Sequence, residues 1–216
     1  MWSMNSRGRM LVAEGPLVMG ILNATPDSFF TDSRVTDMDA LLSLADSMLK
    51  EGADILDIGG QSTRPGSSRL DADEESGRVI PAIRALRAAH PDSWISVDTY
   101  HASVATAAVH AGADMVNDIS AGQLDPAMIA TVAALGVPYI AMHMQGEPGT
   151  MQDDPRYDDV VTEVLDFLIA KRAACVAAGI KDIIFDPGFG FGKTLQHNFA
   201  LLNGLSAFSI LGHPLL

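Results

Sequence analysis

Six short apolar runs in this 216-residue sequence each hand over to a hydrogen-bonding or charged residue. Leu22 precedes Asn23, Ile58 precedes Gly59-Gly60-Gln61-Ser62-Thr63-Arg64, and Val97 precedes Asp98. Val116 precedes Asn117-Asp118, Met142 precedes His143, and Phe185 precedes Asp186. Carboxylates and amides gathered in one place hold a small molecule rich in N–H donors, and Arg64 offers paired donors for a carboxylate or phosphate. Each residue alone has a plainer reading. Asp98 suits the N-cap of a following helix, Asn117 and Asp118 suit a turn, and His143 suits a satisfied core. Independent caps and turns would not all choose the same edge, so the joint pattern favours a site.

The elements that carry these residues alternate. The apolar runs Leu17–Leu22, Ile55–Ile58, Trp94–Val97, Met115–Val116, Val137–Met142 and Ile183–Phe185 lack polar alternation, as expected of parallel strands covered on both faces. Between them lie amphipathic stretches. Met38, Leu41, Leu42, Ala45, Met48 and Leu49 make one apolar helical face, and further helices are expected over 73–90, 102–111, 126–135 and 158–178. Gly52, Gly112 and Gly179 recur where helix gives way to strand, the expected C-cap. Six strand–helix units are visible and a seventh strand is expected near His213. Pattern alone leaves open a doubly wound sheet or a barrel; in a barrel the six strand ends converge on one mouth, where barrel active sites lie. Two loops over that edge, Asn23–Phe30 and Gln61–Gly66, mix turn formers with aromatics in one and hydroxyls with a guanidinium in the other.

Composition excludes several classes. A formal net charge of −13 argues against nucleic acid and against an anionic membrane surface. No segment nears the ~20 apolar residues of a membrane span, and Met1–Met10 leads into no signal sequence. With Cys175 as the sole cysteine, placed at helical spacing with Val164, Leu168 and Lys171, no internal disulfide forms and a cytoplasmic protein is expected. The stretch Asp186–Thr194 mimics a phosphate loop, but Pro187 stands where that loop needs its first glycine, and Leu195 breaks a dinucleotide fingerprint. One cysteine and six scattered histidines give no structural zinc site.

Taken in order, Met19–Phe29, Asp57–Gly66, Ser96–Thr99, Asn117–Ile119, Met142–Gly146 and Asp186–Lys193 resemble the successive signatures of the dihydropteroate synthase family. The resemblance runs from about Leu17 to the end. It implies a TIM (β/α)₈ barrel, with about six and a half of its eight units present in one pterin-binding domain over 1–216, ending before the seventh strand is complete. It also implies the joining of a pterin diphosphate to p-aminobenzoate. Asp98, Asn117 and Asp186 would then bind the pterin ring, and Asn23 would help place Mg²⁺ and the diphosphate. Thr63 and Arg64 would meet diphosphate and p-aminobenzoate, with Phe189 and Met142 among the substrate contacts. Asp98, Asp186 and Arg64 would act in the reaction itself. A homodimer is implied as well.

Two departures from the family pattern stand out. Phe30-Thr31-Asp32-Ser33-Arg34 replaces the usual Asp-Gly-Gly-like turn, and the chain stops at Leu215-Leu216 before the family's Ser-Arg-Lys and Arg-x-His segments. Unpaired strand edges then lead us to expect a chain that aggregates or stays partly unfolded when made alone. Two other functions share the resemblance: a methyltetrahydrofolate-dependent methyltransferase and a non-catalytic pterin-binding paralogue. The Ser62–Gly66 loop argues against the first.

Overall fold

The computed structural model describes residues 1–24, 34–61 and 70–216, apart from the side chains of 34–37. A short antiparallel hairpin comes first: β1 (Trp2–Ser6) and β2 (Arg9–Ala13), with Ser6 opposite Arg9. Its two-residue turn, Arg7-Gly8, has φ of 50° and 94°, the positive pair that a type I′ hairpin requires. The sequence pattern gave no sign of these strands. They are short, and Arg-Gly is not the usual Asn-Gly of such turns.

Strand and helix then alternate: β3 (Met19–Asn23), α1 (Arg34–Lys50), β4 (Ile55–Gly59), α2 (Ala72–Ala89), β5 (Trp94–Asp98) and α3 (Ala102–Ala111). They continue through β6 (Met115–Asp118), α4 (Met128–Leu135), β7 (Tyr139–Met142), α5 (Val160–Ala178), β8 (Ile183–Asp186) and α6 (Leu195–Asn203), followed by a 3₁₀ helix over Leu205–Leu211. Strands β3 to β8 are parallel, and each lies beside its predecessor in sequence. A doubly wound sheet reverses its order partway; this one does not. It has the singly wound order of a TIM barrel. Beyond the 3₁₀ helix, Phe185 N donates to Pro214 O (3.0 Å) and Leu216 N to Phe185 O (2.9 Å), so a further parallel pairing begins close to His213.

Alternation along each strand sorts its residues between two cores. Leu56, Ile58, Ile95, Val97, Val116, Tyr139, Ala141, Ile183 and Phe185 pack outward against the helices. Ile55, Trp94, Met115, Ile140 and Ile184 form a separate inner layer at the amino ends of the strands, closed from below by Met4 of the hairpin. Arg7 holds the hairpin to the carbonyls of Val109 and Ala113 (both 3.1 Å), and Arg9 pairs with Asp114 at 3.3 Å. Cys175 is buried on α5, as its spacing implied. Gly52, Gly112 and Gly179 all have positive φ where the preceding helices end. No helix among the described residues is long and apolar enough to cross a membrane.

Candidate active site

Counting by twos from the inner layer places the functional side chains. Met19 leads to Asn23, Ile55 to Asp57 and Gly59, Trp94 to Asp98, Met115 to Asn117, Ile140 to Met142, and Ile184 to Asp186. All of these positions share the inward parity, at the carboxyl ends of the strands. Across neighbouring strands, Asn23 pairs with Gly59, Gly59 with Asp98, and Asp98 with Asn117. Gly59 lets this row close up. A Cβ there would stand 3.4 Å from Asp98 Oδ2 and 3.8 Å from Asn23 Oδ1. Asn117 Nδ2 donates to Asp57 Oδ2 at 3.0 Å. Asp57 thus joins the set, although the sequence reading did not assign it a role. The signal was present, as an acid inside an otherwise apolar strand.

The opposite parity disposes of two of the strand-end residues, Asp118 and His143. Asp118 points outward and is fully buried. Its Oδ1 accepts from Ser120 N (2.8 Å) and Ser120 Oγ (2.7 Å), and its Oδ2 from Gly122 N and Tyr139 Oη (both 2.7 Å). His143 is likewise internal, with Nδ1 3.0 Å from Lys193 Nζ and its ring edge-on to Phe167 at 4.9 Å. For these two the plainer readings hold, a turn residue and a core histidine. Met142 is 3% exposed and packs with Tyr100, Ile119, Met144 and Met151 beside the mouth. Phe189 sits on the loop after β8, 38% exposed. Thr63 and Arg64 lie outside the described residues. The flanks of their segment are held in place. Gln61 Oε1 accepts from Tyr100 Oη (2.6 Å) and Leu70 N (3.4 Å), and His101 Nε2 lies 3.3 Å from Leu70 O.

The mouth is acidic, and its carboxyls differ. Burial pushes Asp98 well above the usual carboxylate range, and the neighbouring charges of Asp57, Glu75 and Asp118 push the same way. Burial also raises Asp57, against the pull of Ser96 and Asn117. Asp186 rises to about 6, again through burial, opposed by the Gly188 N–H (2.7 Å to Oδ1) and by Lys193. Near neutral pH the site therefore offers one carboxylate ready to accept hydrogen bonds and another that ionises when donors arrive. A ligand with adjacent ring N–H and amino groups supplies such donors.

Behind the mouth, Glu75 on α2 is 1% exposed, and neither carboxyl oxygen makes a well-formed hydrogen bond. His101 Nε2 stands 3.8 Å away. Burial lifts Glu75 from 4.5 to about 7, opposed by Thr99 and Arg78. Between these two values the folded protein binds the proton more readily than the unfolded chain, so stability falls as pH rises from 4.5 to about 7. Glu75→Gln should flatten that decline, a contribution of roughly 3 kcal/mol at most. Denaturant unfolding at pH 5 and pH 7.5 would test it, and equal pH slopes in the two proteins would refute it.

Comparison with known proteins gives the family. A family model described as "Pterin binding enzyme" matches residues 19–216. The dihydropteroate synthase of Haemophilus influenzae is 46% identical over 203 residues, which cover 93% of this chain and 73% of that protein. The Xanthomonas albilineans dihydropteroate synthase solved with 4-aminobenzoic acid superposes with a TM-score of 0.90 at 44% identity, over 99% of this chain and 76% of that one. The same enzyme in complex with 7,8-dihydropteroate gives a TM-score of 0.85 at 40% identity, with 99% and 76% coverage. The chain belongs to the pterin binding enzyme family, among the dihydropteroate synthases.

Proposed function

We infer that the protein joins 6-hydroxymethyl-7,8-dihydropterin diphosphate to p-aminobenzoate, giving 7,8-dihydropteroate and diphosphate. The observation that carries this reading is the inward row Asn23, Gly59, Asp98 and Asn117, completed by Asp57 and Asp186 on the same parity. A pterin edge alternates ring N–H, amino and carbonyl groups. Carboxyls that accept and an amide that both accepts and donates match that edge. Asn117 is oriented for this by its bond to Asp57.

In the reaction the arylamine nitrogen bonds to the pterin methylene carbon while the bond from that carbon to the diphosphate oxygen breaks. The nitrogen becomes positive on attack and releases a proton acidic enough for water to take. Positive charge grows on the methylene, where Asp98 and Asp186 stabilise it, and negative charge grows on the diphosphate. Thr63 and Arg64 serve the diphosphate and the p-aminobenzoate carboxylate, Phe189 the aromatic ring, and Met142 the apolar wall.

Asn23 fits Mg²⁺. The described residues hold no cluster of three acidic, histidine or cysteine side chains able to cage a metal. A single neutral amide oxygen suits an ion that keeps most of its shell in water and substrate phosphate. Asn23 would hold the ion, which would supply positive charge to offset that on the leaving diphosphate. The substrates are small molecules and a homodimer goes with this reading; a cytoplasmic location goes with it too, since the single cysteine, buried at Cys175, suits a reducing compartment.

The test is product formation. Incubated with both substrates and Mg²⁺, the protein should release dihydropteroate, detected by mass, and a chelator should stop it. Pterin binding without product would replace this reading with that of a non-catalytic pterin-binding protein.

A further inference from the structure

One buried side chain ties down the loop that follows β8. Lys193 is 3% exposed. Its Nζ donates to Gly188 O (2.8 Å) and Phe191 O (3.0 Å), and lies 3.0 Å from His143 Nδ1 and 3.3 Å from His143 O. Phe191 N also donates to Gly188 O at 3.1 Å, so Gly188–Phe191 is a β-turn with Phe189 and Gly190 at its corners. Gly190 has φ of +82°, the left-handed backbone that a type II turn needs at its third position. The turn is seated closely on the segment after β7. A Cβ at Gly188 would overlap the His143 carbonyl oxygen, and one at Gly192 would fall 2.5 Å from Gln145 O.

The chemistry of this contact is specific. Three carbonyl oxygens and an imidazole nitrogen surround one amine, which suits the ammonium, whose three N–H donors exceed the two of the neutral amine. His143 stays neutral, its pKa pushed to about 3 by burial and by Lys193, so Nδ1 can accept when the ring proton sits on Nε2. Burial lowers Lys193 itself to about 7, against the pull of Asp186. Gly188 is held from both sides: its N–H by Asp186 (2.7 Å) and its carbonyl by Lys193. The turn therefore links a carboxyl of the mouth to the aromatic ring at its corner.

We propose that Lys193 is a positioning residue for the arylamine substrate: its buried amine, bonded to His143 and to the Gly188 and Phe191 carbonyls, fixes the turn that presents Phe189. The proposal rests on the reading that Phe189 meets p-aminobenzoate. Lys193→Met should raise KM for p-aminobenzoate about tenfold or more, while KM for the pterin diphosphate stays within about twofold. If both KM values move together, or neither moves, the proposal fails. A second pair of variants guards against misfolding. His143→Asn keeps an acceptor where Nδ1 was and should track the unmodified protein, whereas His143→Leu should follow Lys193→Met. Identical behaviour of Asn and Leu would overturn the idea. A fluorophenylalanine resonance at position 189, assigned by its loss in Phe189→Leu, should shift in Lys193→Met whether or not the protein makes dihydropteroate. An unmoved resonance overturns the proposal; absence of product from the unmodified protein overturns only the assigned reaction.

Discussion

Asp98→Asn is expected to lower kcat/KM for the pterin diphosphate by about 10³-fold, because a site built to accept hydrogen bonds would then present an amide donor to the ligand's donors. Asp98 lies between Gly59 and Asn117 in the inward row, with Asp57 buried close by. Its carboxyl is held well above the usual range by burial and by three other carboxyls. Arrival of ring N–H and amino donors favours the ionised form, so pterin binding should release a proton from the unmodified protein. Calorimetry in two buffers of different ionisation enthalpy would record that release, and it should disappear in Asp98→Asn. Stability should hold or rise, since the substitution removes a crowded acid. A kcat/KM within tenfold of the unmodified value would show that Asp98 does not contact the ring.

The second large effect lies on the other face of the same sheet. Asp118→Ala should cost about 3–5 kcal/mol, because it leaves several buried neutral donors unpaired at roughly 1–3 kcal/mol each, partly offset by relaxation. At this chain length that corresponds to a fall in melting temperature of roughly 6–20 °C. The loss would leave Tyr139 Oη, Ser120 Oγ and the backbone N–H groups of Ser120 and Gly122 without their acceptor. It would also release the turn in which Ala121 holds a φ of +48° and accepts from Lys171 Nζ at 2.7 Å. Asp118 faces the helices rather than the mouth, so the folded fraction at low temperature should keep KM values near normal. A melting temperature within about 2 °C of the unmodified protein would sink the argument.

Much of this was readable before any coordinates. Continuous apolar runs marked the buried parallel strands to within a residue or two, and the glycines marked where helices stop. The barrel became distinct from a doubly wound sheet only through strand order, which no local pattern encodes. The mouth was half legible for a related reason. Asn117 and Asp118 are adjacent and equally polar, yet alternation sends one inward and the other into the helix layer. Sorting them needs the parity of the whole strand, and Met115 in the inner layer supplies it. Lys193 left no legible trace, because a cation in a glycine-rich loop looks like a solvated residue until the carbonyls that surround it are placed. The Mg²⁺ and loop assignments rest on resemblance, and for Thr63 and Arg64 the described residues offer only the pinned flanks Gln61 and Leu70.

The hairpin beneath the strands bears on how the chain reaches its native state. Asn5 N donates to Asp182 Oδ2 at 2.9 Å across 177 residues of sequence, and Met4 belongs to a cluster of side chains drawn from five different strands. Contacts so remote in sequence are reached only by closing a long loop, whose entropy cost precedes any gain from them. The hairpin therefore finds its partners only after strands that follow it in sequence have formed. Docking of the hairpin is expected late in folding, not at its start.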